Sequence, residues 1–292
     1  SKENAPVVKT GYSFVPFPLA GFDGAKGLLF GGLMNVYNFG DGSTYPNPKS
    51  SSYFEVSGYT GGSKTFVASF DSGSLLSGVR MNLAASYCAD NAMEFFGFGG
   101  RQTLYDSSLT DGFYKYDRGT FNVKADFSGK IYEHLSWEVG YHFNQFKVKD
   151  YHPQDSELEM SLFGLYKAWG IIPSEEKSNE HSSALRLGLV YDSRDYEGVP
   201  TRGILARAHI TAAPKFLGSS DSYLKVHACL RQYIPIIKES LVLAYRLDYQ
   251  EFLGDAPWYA IPFYTPGGPV YDNEAIGGYR TVRGLLYNRV IG

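Results

Sequence analysis

From Val79 the chain repeats with the two-residue period of an extended strand. Val79, Met81, Leu83, Ala85 and Tyr87 share one face, and Arg80, Asn82, Ala84, Ser86 and Cys88 the other. Phe121, Val123, Ala125 and Phe127 oppose Thr120, Asn122, Lys124 and Asp126 in the same way. Leu135, Trp137, Val139, Tyr141 and Phe143 oppose Ser136, Glu138, Gly140, His142 and Asn144. The pattern returns at Leu185–Tyr191, opposed by Arg186, Gly188, Val190, Asp192 and Arg194, and at Ile204–Ile210, opposed by Arg207, His209 and Thr211. It closes with Leu224–Leu230 against Lys225, His227, Cys229 and Arg231, and Leu241–Tyr249 against Arg246, Asp248 and Gln250.

The remaining chain is less regular. Residues up to about Ala25 carry Pro16, Pro18 and several aromatics without a clear period, and are expected to form an N-terminal periplasmic segment, residues 1–26. A glycine-rich first strand follows at Gly27 to Asn38, then a hairpin of Ser52 to Tyr59 and Lys64 to Phe70 across Thr60-Gly61-Gly62-Ser63. Met93 to Gly99 reads as a short strand whose end, Gly97-Phe98-Gly99-Gly100, lacks the lysine and helix of a phosphate loop and takes no nucleotide role. Residues 151 to 182 are a polar insertion; Leu158 to Trp169 could be an amphipathic helix, but a surface loop is the favoured reading.

Alternation alone would also suit a soluble sandwich, with the charged faces in water. Two features point to a bilayer instead. The segments are on the order of ten residues or longer, the length of a tilted membrane-spanning strand. Their apolar faces also end in Tyr87, Phe127, Tyr141, Phe143, Tyr191 and Tyr249, as an interfacial girdle requires. Composition agrees: 16% of the 292 residues are aromatic, including 24 Tyr and 20 Phe, beside 33 Gly. No run of roughly 18 apolar residues offers a transmembrane helix, and no signal peptide opens the chain at Ser1, so a barrel with its signal already removed is expected. A net charge of -3 gives no basic field for nucleic acid. Cys88 and Cys229 are too few for a disulfide framework or a structural metal site, and no cofactor is expected.

Two motifs stand out from the wall. Asp192, Arg194, Asp195 and Arg202 alternate acid and base around Pro200-Thr201-Arg202-Gly203, as a strand-end ionic motif or a well-capped periplasmic turn. After the turn formers around Pro257 and Pro266, Gly277-Gly278-Tyr279-Arg280-Thr281-Val282-Arg283-Gly284-Leu285 sets a permanent cation beside a glycine that permits close packing. As a set, the Tyr-Asp-Ser-Arg-Asp block at 191–195, the Pro-Thr-Arg-Gly turn, the hairpins after it and the Val282-Arg283-Gly284 loop resemble the C-terminal barrel of the bacterial surface-antigen superfamily, the BamA and TamA type.

That resemblance implies an all-β, transmembrane antiparallel barrel of 16 strands, of which about eleven are legible here. It implies that an extracellular loop, here residues 254–292, plugs the lumen of a barrel domain spanning 27–292. The lock would be Val282, Arg283, Gly284 and Leu285, with Asp126, Glu138 and Asp248 as lumen partners for Arg283. Leu285 stands where the family usually has Phe or Tyr. With little sequence before the first strand, the chain resembles the POTRA-less branch. The strand shortfall means that the wall continues past Gly292 or is completed by another chain, the former being favoured, because open edges are not tolerated in lipid.

The function implied is non-enzymatic insertion or export of outer-membrane protein or lipid in a Gram-negative bacterium, through a lateral seam weakened at Gly31 and Gly32. Outer-membrane lipid, other outer-membrane proteins and periplasmic or lipoprotein partners would be its associates; homodimerisation stays open. The alternative is a passive channel with an anion preference set by Arg186, Arg207, Lys225, Arg231 and Arg246. A barrel hydrolase is disfavoured, since His142, His209 and His227 fall on lumen faces as hydrogen-bonding residues rather than catalysts or metal ligands.

Overall fold

The computed structural model describes residues 8–98, 105–109, 112–151, 159–172, 179–196, 199–237, 240–261 and 276. Eleven strands follow in chain order: β1 (Gly11–Asp23), β2 (Gly27–Gly40), β3 (Ser50–Tyr59), β4 (Lys64–Leu76), β5 (Val79–Glu94), β6 (Lys115–Tyr132), β7 (Leu135–Asp150), β8 (Asn179–Asp192), β9 (Gly203–Ala213), β10 (Tyr223–Ile237) and β11 (Leu241–Gly254). One helix, α1 (Leu162–Ala168), lies between β7 and β8. Each strand pairs antiparallel with its sequence neighbour in a single sheet, so every backbone bond of the wall is made between adjacent hairpin arms. Among the described residues the sheet does not close, and β1 and β11 are its edges.

The polarity of the sheet is inverted relative to a soluble protein. Leu185, Leu187, Leu189, Ile210, Leu243 and Leu247 are exposed, whereas Asn122, Lys124, His142, Ser182, His209 and His227 are buried. Register explains this: Lys124 pairs with His142 and His142 with Ala184, forming one row on the concave face, while Ala125, Tyr141 and Leu185 form the next row on the convex face. An apolar convex face and a polar concave face are the two surfaces of a barrel wall between lipid and lumen. Tyr87, Tyr141, Tyr191 and Tyr249 lie exposed on the convex face, whereas Phe127 and Phe143 are half-buried; Tyr191 stands at a strand end, but Tyr87 and Tyr141 lie in mid-strand.

Connection lengths orient the wall. The turns after β4, β6 and β10 are short, and the connections after β5 and β7 are long and open at the opposite end. Short turns mark the periplasmic side and long loops the outside.

Three expectations are corrected. Residues 11–23 are not a segment outside the wall but the strand β1, paired without a shift from Tyr12 to Asp23 with β2. Its period was hidden because both its faces are apolar, with Phe14 and Phe22 on one and Val15, Phe17 and Leu19 on the other. The stretch expected as a strand from Met93 opens instead as the end of β5, at Glu94, and Phe95 and Phe96 are buried beyond it; Gly99 lies outside the described residues. The count of eleven therefore stands, with one strand gained and one removed. The insertion does contain a helix, α1, although a short one; Ser161 caps it by accepting from Gly164 N at 3.2 Å.

Candidate functional site: the lumen wall and its extracellular plug

The lumen face of β6 to β11 carries a row of neighbouring carboxylates, histidines and arginines. Asp126 on β6 lies 2.8 Å from Nε2 of His142 on β7. Glu138 on β7 bonds His209 on β9, although β8 runs between them. Arg186 on β8 sits against His209, its Nη2 3.0 and 2.9 Å from the ring nitrogens, and 3.8 Å from Glu138. His209 and His227 are parallel at 6.2 Å, and His227 Nε2 is 3.5 Å from Asp248 on β11. Arg246 holds Asp248 with both Nε and Nη2.

Two glycines make this row geometrically feasible. Glu138, Gly188 and His209 occupy one lumen row across β7, β8 and β9. A Cβ on Gly188 would come within 2.1 Å of His209 Cδ2, so the absent side chain is the gap through which His209 reaches Glu138. Gly140 plays the same part opposite Asp126, where a Cβ would lie 2.0 Å from Oδ1. A buried carboxylate is costly unless hydrogen-bonded, and the space left by these glycines admits its imidazole partner.

Asp126, Glu138 and Asp248 thus face the lumen as expected, and each is already engaged by a histidine or arginine of the wall. Val282, Arg283, Gly284 and Leu285 lie outside the described residues. The histidine partners of the three carboxylates were on the correct face in the sequence, but nothing local signalled their pairing. The signal that could have found them is the glycine between two lumen-facing ionisable groups in neighbouring strands.

The strand-end motif divides into two. Arg194 returns to Asp192, with Nη2 2.7 Å from Oδ2, and its side chain is buried. Asp195 instead closes the β8–β9 turn. Its carboxylate accepts from the backbone N–H groups of Tyr196 (3.0 Å), Thr201 (3.0 Å) and Arg202 (3.3 Å) and from the Thr201 hydroxyl. These donors, the Thr201 hydroxyl first, hold its carboxyl down to about 2. The motif is therefore a capped periplasmic turn beside a separate ion pair. Arg202 contributes through its main chain, accepting from Asp195 N at 3.2 Å.

Gly31 and Gly32 are not at a sheet edge. They lie on β2, between β1 and β3, where Gly31 faces Leu19 and Ser57, and Gly32 faces Pro18 and Val56. The seam expected at these residues is corrected accordingly: the strand edge is β1.

Sequence reasoning missed an apolar cluster on the lumen face. The rows that carry Arg118 and His142 continue outward into Tyr116, Phe146 and Val148, and there the lumen turns apolar. Phe95, Leu162, Phe163 and Ile172 pack onto them from the two long loops. Trp258, Tyr259 and Ala260, just past β11, cross to complete the cluster. Trp258 lies 5.6 Å from Phe95 and 5.5 Å from Phe163, ring centroid to ring centroid. Phe98, read from the sequence as part of a loose strand end, packs against the same cluster at 5.8 Å from Phe95. The first residues past β11 are thus packed against the lumen face by a buried aromatic cluster.

Comparison with known proteins agrees with this architecture. The Omp85 superfamily domain matches residues 44–291. Among solved structures, the chain is similar to the crystal structure of BamA from Haemophilus ducreyi lacking POTRA domains 1–3, at a TM-score of 0.53 and 19% identity. The match covers 89% of this chain and 45% of that one, so this chain spans less than half the length of the structure it matches. At that identity the likeness is one of fold.

Proposed function

This chain belongs to the Omp85 superfamily, and from that premise we propose that it acts as a non-enzymatic assembly and translocation barrel of the Gram-negative outer membrane. It aids insertion or export of outer-membrane protein or lipid through a lateral seam beside β1, in company with other outer-membrane proteins and periplasmic or lipoprotein partners. The supporting observation is the aromatic plug of Phe95, Tyr116, Phe163, Trp258 and Tyr259. A passive channel needs a wet, unobstructed mouth, and buried aromatic rings on the lumen face oppose that use.

The loop anchored by Trp258 and Tyr259 runs on to Arg283. In this reading Arg283 braces the loop against the lumen carboxylates Asp126, Glu138 and Asp248, whose existing arginine and histidine partners would share charge with it. Gly284 keeps the approach open.

The test is reconstitution in liposomes, with two readouts. Accelerated folding of a urea-unfolded outer-membrane barrel, together with small and irregular single-channel currents, supports the proposal. A large steady conductance without any effect on client folding would replace it with the passive channel, whose selectivity Arg186, Arg207, Lys225, Arg231 and Arg246 would set.

A further inference from the structure

The outer edge of β1 lies beyond the residues matched by the family, which begin at 44. In an antiparallel pair, residues alternate between those that bond the neighbouring strand and those whose N–H and C=O point away from it. Here the phase is fixed at the β1–β2 turn. Thr60 N donates to Leu28 O at 2.9 Å and Leu28 N donates to Thr60 Oγ1 at 3.0 Å, so Leu28 bonds towards β3. Its partner Phe22 therefore points its backbone groups away from β2. The far end gives the same phase: Lys49 N donates to Asn38 O at 2.7 Å, and Asn38 is the partner of Tyr12.

Because the ladder is unshifted from Tyr12 to Asp23, the outward-pointing residues are Tyr12, Phe14, Pro16, Pro18, Ala20 and Phe22. Proline has no N–H to offer. The edge thus presents donors at Tyr12, Phe14, Ala20 and Phe22, and carbonyls alone at Pro16 and Pro18. The gap falls at the middle of the strand, the part that lies deepest in hydrocarbon, where water cannot stand in for a missing donor. Side chains offer no polar substitute: on the lumen face of this stretch Val15 and Phe17 are 41% and 63% exposed, and both are apolar.

We infer that Pro16 and Pro18 make β1 an interrupted pairing edge, so that the antiparallel strand closing the wall against it is held by two short patches of backbone bonds around an unbonded centre. The occupant is the closing strand of this wall, because a bare strand edge is not tolerated in lipid. Two carbonyls of that strand go without their ladder bond, which lowers the cost of parting it from β1. The inference deepens the lateral-seam reading, on which its functional meaning rests, and locates the weak point in β1.

The experiment is hydrogen exchange followed by mass spectrometry on the full-length protein in liposomes, comparing wild type with the double variant Pro16→Val, Pro18→Val. Valine suits a lipid-facing strand and restores both donors. Exchange across residues 12–22 is expected to slow by about tenfold or more, the equivalent of two added backbone bonds. The unfolding temperature is expected to rise, although proline removal alone lowers it by freeing the unfolded chain. Unchanged exchange with a lowered unfolding temperature would overturn the inference. Ala20→Pro should extend the gap, speeding exchange at the outward edge while leaving the β1–β2 ladder protected; no change there also counts against it. If exchange slows in the double variant but client folding proceeds at the wild-type rate, the interrupted edge stands and the lateral-seam function falls.

Discussion

Tyr259 packs against Phe146 with ring centroids 5.0 Å apart and the rings tilted by 45°, which joins the segment after the last strand of the sheet to the lumen face of β7. No sequence-local force brings them together. The contact requires the sheet to curl until the exit of β11 overlooks β6 and β7, and it packs the first residues past β11 against the lumen face.

Removing that ring should loosen the packing of the segment after β11. Tyr259→Ala is expected to cost about 3–5 kcal/mol, the range for deleting a buried aromatic side chain, and to expose residues 254–261 to protease. Tyr259→Phe should be neutral or slightly stabilising, because the buried Tyr259 hydroxyl has no hydrogen-bond partner among the described residues. Equal protection of residues 254–261 in both variants would show that the Tyr259 ring does not hold this segment.

The Glu138–His209 pair depends on the space left by Gly188. Gly188→Ala should displace His209 and leave Glu138 partly unsatisfied, at a cost on the order of 1–3 kcal/mol. Combining it with Glu138→Gln should add little, since both changes break the same contact. Heat-modified mobility on gels, read for the two single variants and the double, measures the coupling.

Gly31 and Gly32 should behave differently. A Cβ at Gly31 would meet Val56 O at 2.4 Å and the Ser57 Cα at 2.6 Å, whereas at Gly32 the nearest atom is 3.6 Å away. Gly31→Ala is therefore expected to destabilise the β2–β3 pairing by about 1–3 kcal/mol, and Gly32→Ala to be tolerated. Thermal unfolding of the two variants in the same detergent checks this, and equal unfolding temperatures would reject the steric difference.

The turn at Asp195 has a defined acid limit. Its carboxyl is lowered from 3.8 to about 2, so its contribution is fully present above 3.8 and is lost as the pH falls through about 2. Thr201→Val removes the largest cause and should move the titration back towards 3.8. Carboxyl chemical shifts followed against pH would show it, and an unmoved midpoint would reject the hydroxyl as the cause.

Arg283→Ala should raise protease access to the loop, or conductance, while the barrel still forms. If loop protection and heat stability both match wild type, Arg283 is no brace.

Much of the wall could be read directly from the sequence. From β6 to β11 the alternation of Phe121 with Asn122, Tyr141 with His142 and Leu247 with Asp248 states which residues share a face, since the two-residue period is a property of the backbone itself. Segment length and the tyrosines of the apolar face then state which face meets lipid. β1 escaped this reading because Val15 and Phe17 make its lumen face as apolar as its lipid face, and without contrast there is no period to see.

What the sequence by itself determined, then, is the kind of element and the orientation of each side chain: strands, lipid outside, charge inside. Tertiary structure alone decided which inward groups meet. Asp126 finds His142, Glu138 finds His209 past Gly188, and Phe95 finds Phe163 and Trp258 because register and curvature set those distances. Side-chain direction is fixed by the backbone within a few residues, whereas register and curvature are fixed by the summed pairing of every strand between the two partners.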